Sequence, residues 1–459
     1  MRVLENPGRK DRIPPEIISF FEAFPGQSLL LKGKPGTGKT ILTLEILRAV
    51  CEEGNGLYIS TRIEPQRLYM TSPWIRDLIP ERNIINATQS KVRRSLGWEA
   101  QRLKRTRPID YDTILQFFKV IYEDAEDMDN PMIIFDSWDG VLSHLNMEEE
   151  AAALTQGICD FCREVETHTI FVTEREKETA IDFIVDGVVA LHRLRLGESE
   201  LRGKEPEHRV VRELEIEKLR GLPVRQSRYL FTLHGGRFRF FKPFLENLRV
   251  EVKPVLNIGG DRQSTGIPDL DRAVGGLPAG SLSLWETRYG VNKRYEQMLF
   301  QLCMNTVVKG GGVVGIPFMG SSIAKMKVEN IVMYYPETED VNVETASFLS
   351  VVRSLQEKVE KPVLTFISID TLERTFGPKG ALNLLENVLK ISEETQLISS
   401  IIYLAGSEAS ILKVVANSAD IHLVFRDVDG ALVLYGVRPV TCLYGVTTDR
   451  EGVHLTPVV

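Results

Sequence analysis

Cysteine is scarce in this chain: there are five in 459 residues, and only Cys159 and Cys162 lie close together. They are too few and too scattered for a disulfide framework, as fits a reducing compartment. The CxxC pair lies inside AAALTQGICDFCREV, which has the pattern of a buried helix, and no second CxxC or His pair completes four ligands. It reads as two core cysteines rather than a redox or metal centre. Long apolar runs are missing too. Nothing approaches the roughly 18 consecutive apolar residues of a membrane span, and the opening MRVLENPGRKDRIPPE sets no apolar segment behind its basic residues. Neither a secretory leader nor a lipid anchor is expected, and a cytoplasmic location is. Nor is there an excess of positive charge. Fifty-six Lys and Arg against 63 Asp and Glu leave a net charge of -7, which argues against a surface built throughout for nucleic acid.

Apolar residues at 43% and charged residues at 26% describe a globular chain, long enough for two cores of roughly 200 residues each. Its most informative segment is GKPGTGKT, Gly33 to Thr40, a full GxxxxGKT motif. It follows the apolar run Ser28 to Leu31 and precedes ILTLEILRAV, which has helical periodicity. Strand, glycine loop and helix together make a phosphate cradle. Gly33, Gly36 and Gly38, with Pro35 and Thr37 between them, let backbone N–H groups close on phosphates. Lys39 reaches the outer phosphates, and Thr40 faces Mg²⁺. The expected ligands are therefore ATP and Mg²⁺.

Along the first half, strand-like runs (SLLLKG, GLYIST, PMIIFDS, HTIFVTE) alternate with helical stretches, which predicts a parallel sheet covered by helices. VDGVVALHRLRL, RVVRELEIEKLRG and RYLFTLHGGRFRFF then follow with only turns between them, as antiparallel strands added at an edge. After a connector near residues 242–262 the scheme repeats, which predicts a duplicated α/β architecture with domains at 1–245 and 246–459. The second glycine loop is ruined. Glu286 and Asn292 stand where glycines belong, Arg294 stands for the Mg²⁺ hydroxyl, and only Lys293 survives. A carboxylate there repels phosphate and side chains block close approach, so no ordinary nucleotide site is expected.

STGIPDLDRAVGGLPAGSLSLWE (Ser264 to Glu286), PMIIFDSWDG (Pro131 to Gly140), VTEREKETAIDFIVDGVVALHRLR (Val172 to Arg195) and LEIEKLRG (Leu214 to Gly221) are similar to segments of the KaiC branch of the RecA-like ATPases. The likeness covers most of both halves. Within that branch, IPPEIISFFEAFPGQSLLLKGKPGTGKT with STRIEPQRLY and SPWIRD resembles the GvpD family of archaeal gas-vesicle regulatory proteins. The resemblance implies two tandem RecA-like P-loop domains, the second degenerate, each a mostly parallel sheet flanked by helices with antiparallel C-terminal strands. It implies Lys218 and Arg220 as cations reaching a neighbour's nucleotide in a homo-oligomeric, hexameric ring, where such groups speed phosphoryl transfer by roughly 10³ to 10⁵. Asp136, closing the run Met132 to Phe135, is the carboxylate expected to hold the Mg²⁺ water shell, and Ser137 beside it is a candidate γ-phosphate sensor.

One departure matters more. Where KaiC domains carry paired glutamates, YISTRIEPQ has Thr61 and Arg62. Glu64 is the candidate substitute base, Glu174 a weaker one, and Arg62 a candidate phosphate contact. Without a positioned base, turnover of about 10⁻⁴ to 10⁻² s⁻¹ is expected, the range of unassisted P-loop switches. Seven basic residues between Lys91 and Arg107 form the best candidate contact surface, for a protein partner ahead of nucleic acid. The expectation is thus a slow regulatory ATPase working through protein partners. Its alternatives are a DNA repair or recombination accessory ATPase and a non-catalytic assembly scaffold.

Overall fold

The computed structural model describes residues 9–61, 63–76, 78–86, 128, 131–145, 147–196 and 209–244 and, with short interruptions, 254–459. It comprises two units. The first holds the chain through Phe240 together with Val458 and Val459, and the second runs from Phe241 to Pro457.

In the first unit, α1 (Pro15–Ala23), β1 (Ser28–Lys32), α2 (Lys39–Val50), β2 (Gly56–Ser60), α3 (Pro65–Thr71) and β3 (Ile84–Asn86) lead to β4 (Met132–Asp136). There follow α4 (Trp138–Leu145), α5 (Ala151–Glu164), β5 (His168–Val172), α6 (Ala180–Ile184), β6 (Gly187–Arg195), β7 (Val210–Leu219), β8 (Arg228–Thr232) and β9 (Arg239–Phe240). The strands form one sheet ordered β3-β2-β4-β5-β1-β6-β7-β8-β9. From β3 to β6 neighbouring strands run parallel, and from β6 to β9 antiparallel. Helices cover both faces of the parallel part, so β1 and β2 are buried at every position and apolar at their centres. On one face Leu29, Leu31, Tyr58, Ile134, Leu214 and Ile216 pack under α1 and α2. On the other, Leu30, Ile59, Phe135 and Phe171 pack under α4 and α5 with Trp138, Cys159 and Cys162. Burial pushes the Cys159 and Cys162 thiols up to about 12 and about 11, so both are inert core groups.

The second unit opens with the pair β10 (Arg262–Gln263) and β11 (Leu277–Pro278), between which lies α7 (Pro268–Val274). Next come β12 (Ser281–Thr287), α8 (Glu296–Val308), β13 (Val313–Ile316), β14 (Ile331–Met333), α9 (Val341–Val359), β15 (Val363–Ser368) and α10 (Ile369–Thr395). It ends with β16 (Ile398–Gly406), α11 (Leu412–Ser418), β17 (Ile421–Val428), β18 (Ala431–Arg438), β19 (Tyr444–Thr448) and β20 (Val453–Pro457). The sheet order β14-β13-β15-β16-β12-β17-β18-β19-β20 repeats the first strand for strand. Both units are therefore mostly parallel sheets flanked by helices, with antiparallel additions at one edge.

Candidate phosphate-binding site

β1 delivers Gly33 to the carboxyl end of the first sheet, and α2 departs at Lys39. In open α/β sheets ligands bind at this end. Gly33, Gly36 and Gly38 hold φ of 145°, 78° and 106°, values that side chains rarely allow. A Cβ on Gly33 would stand 2.4 Å from the Leu191 carbonyl oxygen, and one on Gly38 2.8 Å from a Leu233 methyl carbon. The loop is thus pressed from behind by β6 and by the residue after β8. Gly38 opens α2 from the left-handed region and sets no side chain over the helix start, the end of a helix that favours an anion.

Inside the loop, the Lys39 ammonium donates to the carbonyls of Gly33 at 2.5 Å and Lys34 at 2.9 Å. The Thr37 N–H points at the same Lys34 oxygen, at 3.3 Å. The Thr40 hydroxyl donates to Asp136 Oδ2 at 2.6 Å, and the Tyr58 hydroxyl donates to that oxygen at 2.5 Å. Burial and the Asp136 charge push the Tyr58 hydroxyl well up from its ordinary value, which keeps it a donor. β1 and β4 thereby bring Lys39, Thr40 and Asp136 to one place, although 96 positions separate Thr40 from Asp136.

The other sequence candidates lie elsewhere in this framework. The Ser137 hydroxyl accepts the Gly140 N–H at 3.3 Å and is buried, so it caps the start of α4. Thr61, at the place of the absent glutamates, accepts the Ser137 N–H at 2.8 Å and leaves room only for a glycine at 140, where a Cβ would stand 2.4 Å from its Oγ1. Glu64 is exposed at the start of α3. Glu174 offers its backbone N–H to Asp139 at 3.0 Å, and the same carboxylate takes the Thr173 hydroxyl at 2.7 Å and pairs with Arg175 at 3.2 Å. Lys218 donates to the carbonyls of Asp182 and Val185 at 2.8 and 2.6 Å, and Arg220 to that of Phe183 at 3.0 Å and to Asp186 at 3.1 Å. Within one chain, then, both cations close the end of α6. Burial, then the charge of Arg220, lowers the Lys218 pKa. Arg62 and the basic stretch Lys91 to Arg107 lie outside the described residues.

Arg212 was missed at the level of sequence. Its Nη1 reaches the carbonyl oxygens of Gly36 and Thr37, each at 3.1 Å, and its Nε the Val459 carbonyl at 2.6 Å. The available signal was a cation in step with Leu214 and Ile216 on the core face of a strand.

Strand register corrects the reading of the second loop. Leu29 pairs with Gly187 and Lys32 with Ala190, as Ser283 pairs with Ile421 and Glu286 with Val424. Glu286 therefore occupies the place of Lys32. Thr287 stands for Gly33, and Gly290, at φ 87°, keeps the place of Gly36; Asn292 lies outside the described residues. The cations of this loop are nonetheless engaged within the protein. Arg294 donates to the carbonyls of Gly290, Val291 and Gly430 and pairs with Asp427, lacing the loop shut, and Lys293 donates to the Gly320 carbonyl. Ile367 and Ser368, both buried, end β15 where β4 ends in a carboxylate.

Residues 17–214, which contain this whole loop, match the family described as GvpD gas vesicle protein, P-loop domain. The chain is close to the GvpD proteins. It is 23% identical to Protein GvpD2 of Halobacterium salinarum over 96% of this chain and 94% of that protein. Against Protein GvpD1 of the same organism it is 28% identical over 59% of this chain and 49% of that one. The GvpD2 likeness runs through both units, and the matched GvpD P-loop domain lies within the first.

Proposed function

We propose that the first unit is an ATP- and Mg²⁺-dependent switch of RecA/KaiC-like type, that it hydrolyses slowly and acts through protein partners in the cytoplasm, and that the second unit carries no nucleotide site. The observation that carries the reading is the direct contact of the Thr40 hydroxyl with Asp136 beside a glycine loop whose lysine and Thr37 amide both point at one oxygen. A phosphate oxygen would take the place of the Lys34 carbonyl there. The donor set fits the metal: one hydroxyl and one carboxylate are the usual protein share of a Mg²⁺ site that keeps its waters and the phosphates as remaining ligands. When bound, Mg²⁺ would neutralise charge on the phosphates. Thr40 and Asp136 would hold it, Lys39 would bind the outer phosphates, and the amides at the start of α2 the inner ones.

Slow turnover follows from what stands beside Asp136. Thr61 is engaged with Ser137, and Glu64 is exposed, so the described residues offer no carboxylate ready to orient a water at the usual place. Lys218 and Arg220 would serve a neighbouring chain in an assembly only by exchanging their bonds to α6. Titration calorimetry with ATP and Mg²⁺ tests the proposal: one site per chain is expected, lost in Lys39→Ala. Unchanged affinity in that variant, or no binding by the wild type, overturns it. Turnover unaffected by single-stranded DNA is the accompanying expectation.

A further inference from the structure

We infer that Arg212 is a positioning residue of the phosphate site, holding the outer side of the loop so that its inner amides face the phosphates, and that the Val459 backbone in turn holds Arg212. This rests on the reading of Gly33 to Thr40 as a phosphate site. In a trans peptide the C=O and the next N–H point in opposite directions. One guanidinium nitrogen donates to the carbonyls of Gly36 and Thr37. It therefore turns the N–H groups of Thr37 and Gly38 to the other side, into the loop. The Thr37 N–H does point inward, at the same oxygen as the Lys39 ammonium. An amide and an ammonium aimed at one point are what a phosphate requires.

Arg212 is itself fixed. It is 9% exposed, its Nε donates to the Val459 carbonyl at 2.6 Å, and that carbonyl also receives the Leu233 N–H at 3.2 Å. The Val459 N–H donates to Thr232 at 3.4 Å. Leu233 is the residue whose methyl groups lie against Gly38. The same short backbone segment thus braces both the guanidinium under Gly36 and Thr37 and the side chain behind Gly38. Val458 and Val459 follow directly on β20, the last strand of the second unit, yet pack in the first.

The test compares wild type, Arg212→Met, Arg212→Lys and a chain ended after Pro457, titrated with ATP and Mg²⁺ and separately with pyrophosphate. Thermal melts without ligand set a temperature at which each is folded, and Lys39→Ala is the control. Loss of charge-assisted bonds predicts affinity lower by about ten- to a hundredfold in Arg212→Met. Arg212→Lys, which lacks the planar fork, should fall between it and wild type, and the shortened chain should lose several-fold. Pyrophosphate should weaken in parallel with ATP, because the loop and not an adenine pocket is affected; a purely structural role would lower the melting temperature and leave both affinities of the folded protein unchanged. Wild-type affinities in folded Arg212→Met overturn the role of Arg212, and wild-type affinities in the shortened chain overturn that of Val459. Should Arg212→Met fail to fold, wild-type affinity in Arg212→Lys overturns the former. If Lys39→Ala still binds ATP, the phosphate site itself has been misread.

Discussion

At Asp136 one carboxylate oxygen receives two hydroxyls, from Thr40 and Tyr58, and that convergence shows why single residues here must be judged by their partners. Thr61 stands where a base is missing and Glu64 is its candidate substitute; the first is tied to a neighbouring peptide and the second faces solvent. His168 makes the same point for titration. It lies at the start of β5 against Phe21, its Nδ1 accepts the Gln27 N–H at 3.2 Å, and burial pushes its pKa down to about 4. The unfolded chain, with an ordinary value near 6.5, takes the proton first. The neutral form therefore stabilises the fold fully above about pH 6.5, and this is lost as pH falls towards 4. Urea unfolding should show wild type losing about 1–2 kcal/mol more than His168→Gln between pH 7 and pH 5. Equal losses would mean that His168 is not held neutral.

At the scale of elements, the last buried position of β1 and its counterpart in β12 carry opposite charge in mirrored settings. Lys32 lies between Asp182 and Glu217, each at 2.7 Å. Burial alone would lower its pKa, but the two carboxylates prevail and raise it. Glu286 lies between His422 at 2.9 Å and Arg288 at 2.8 Å. In the first unit the cluster ties β1 to β7 and to α6, whose capping box uses the same Asp182. Lys32→Met leaves that carboxylate buried without its cation. Destabilisation at the lower end of roughly 3–5 kcal/mol is expected, because Glu217 keeps access to water; denaturant midpoints check it, and a change below about 1 kcal/mol would show the cluster to be slack. Period and composition made the strands legible, since parallel strands covered on both faces are mainly apolar. They could not reveal Lys32, Arg212 or Glu286 as cluster members, because each partner arrives from a distant segment.

The whole molecule repeats one sheet order twice, with a phosphate loop open in one unit and laced shut by Arg294 in the other. Calorimetry should accordingly resolve two transitions, of which ATP with Mg²⁺ raises one, by an amount set by the ratio of ligand concentration to Kd. Lys39→Ala should abolish that rise and Lys293→Ala leave it intact; a ligand-induced shift of both transitions would speak for a second site. The sequence alone determined the duplicated α/β plan, the glycine loop Gly33 to Thr40 and a carboxylate at the end of β4. These depend on local spacing and on apolar runs, which short-range sterics and burial translate directly into strands, turns and helix starts. Only the tertiary structure decided that Glu286 replaces Lys32 and not a glycine, that Lys218 and Arg220 close α6 within the chain, and that Arg212 and Val459 stand behind the loop. Those facts depend on strand register and on contacts between segments up to 247 residues apart. A one-residue shift in register exchanges every partner, and nothing in local spacing can fix it.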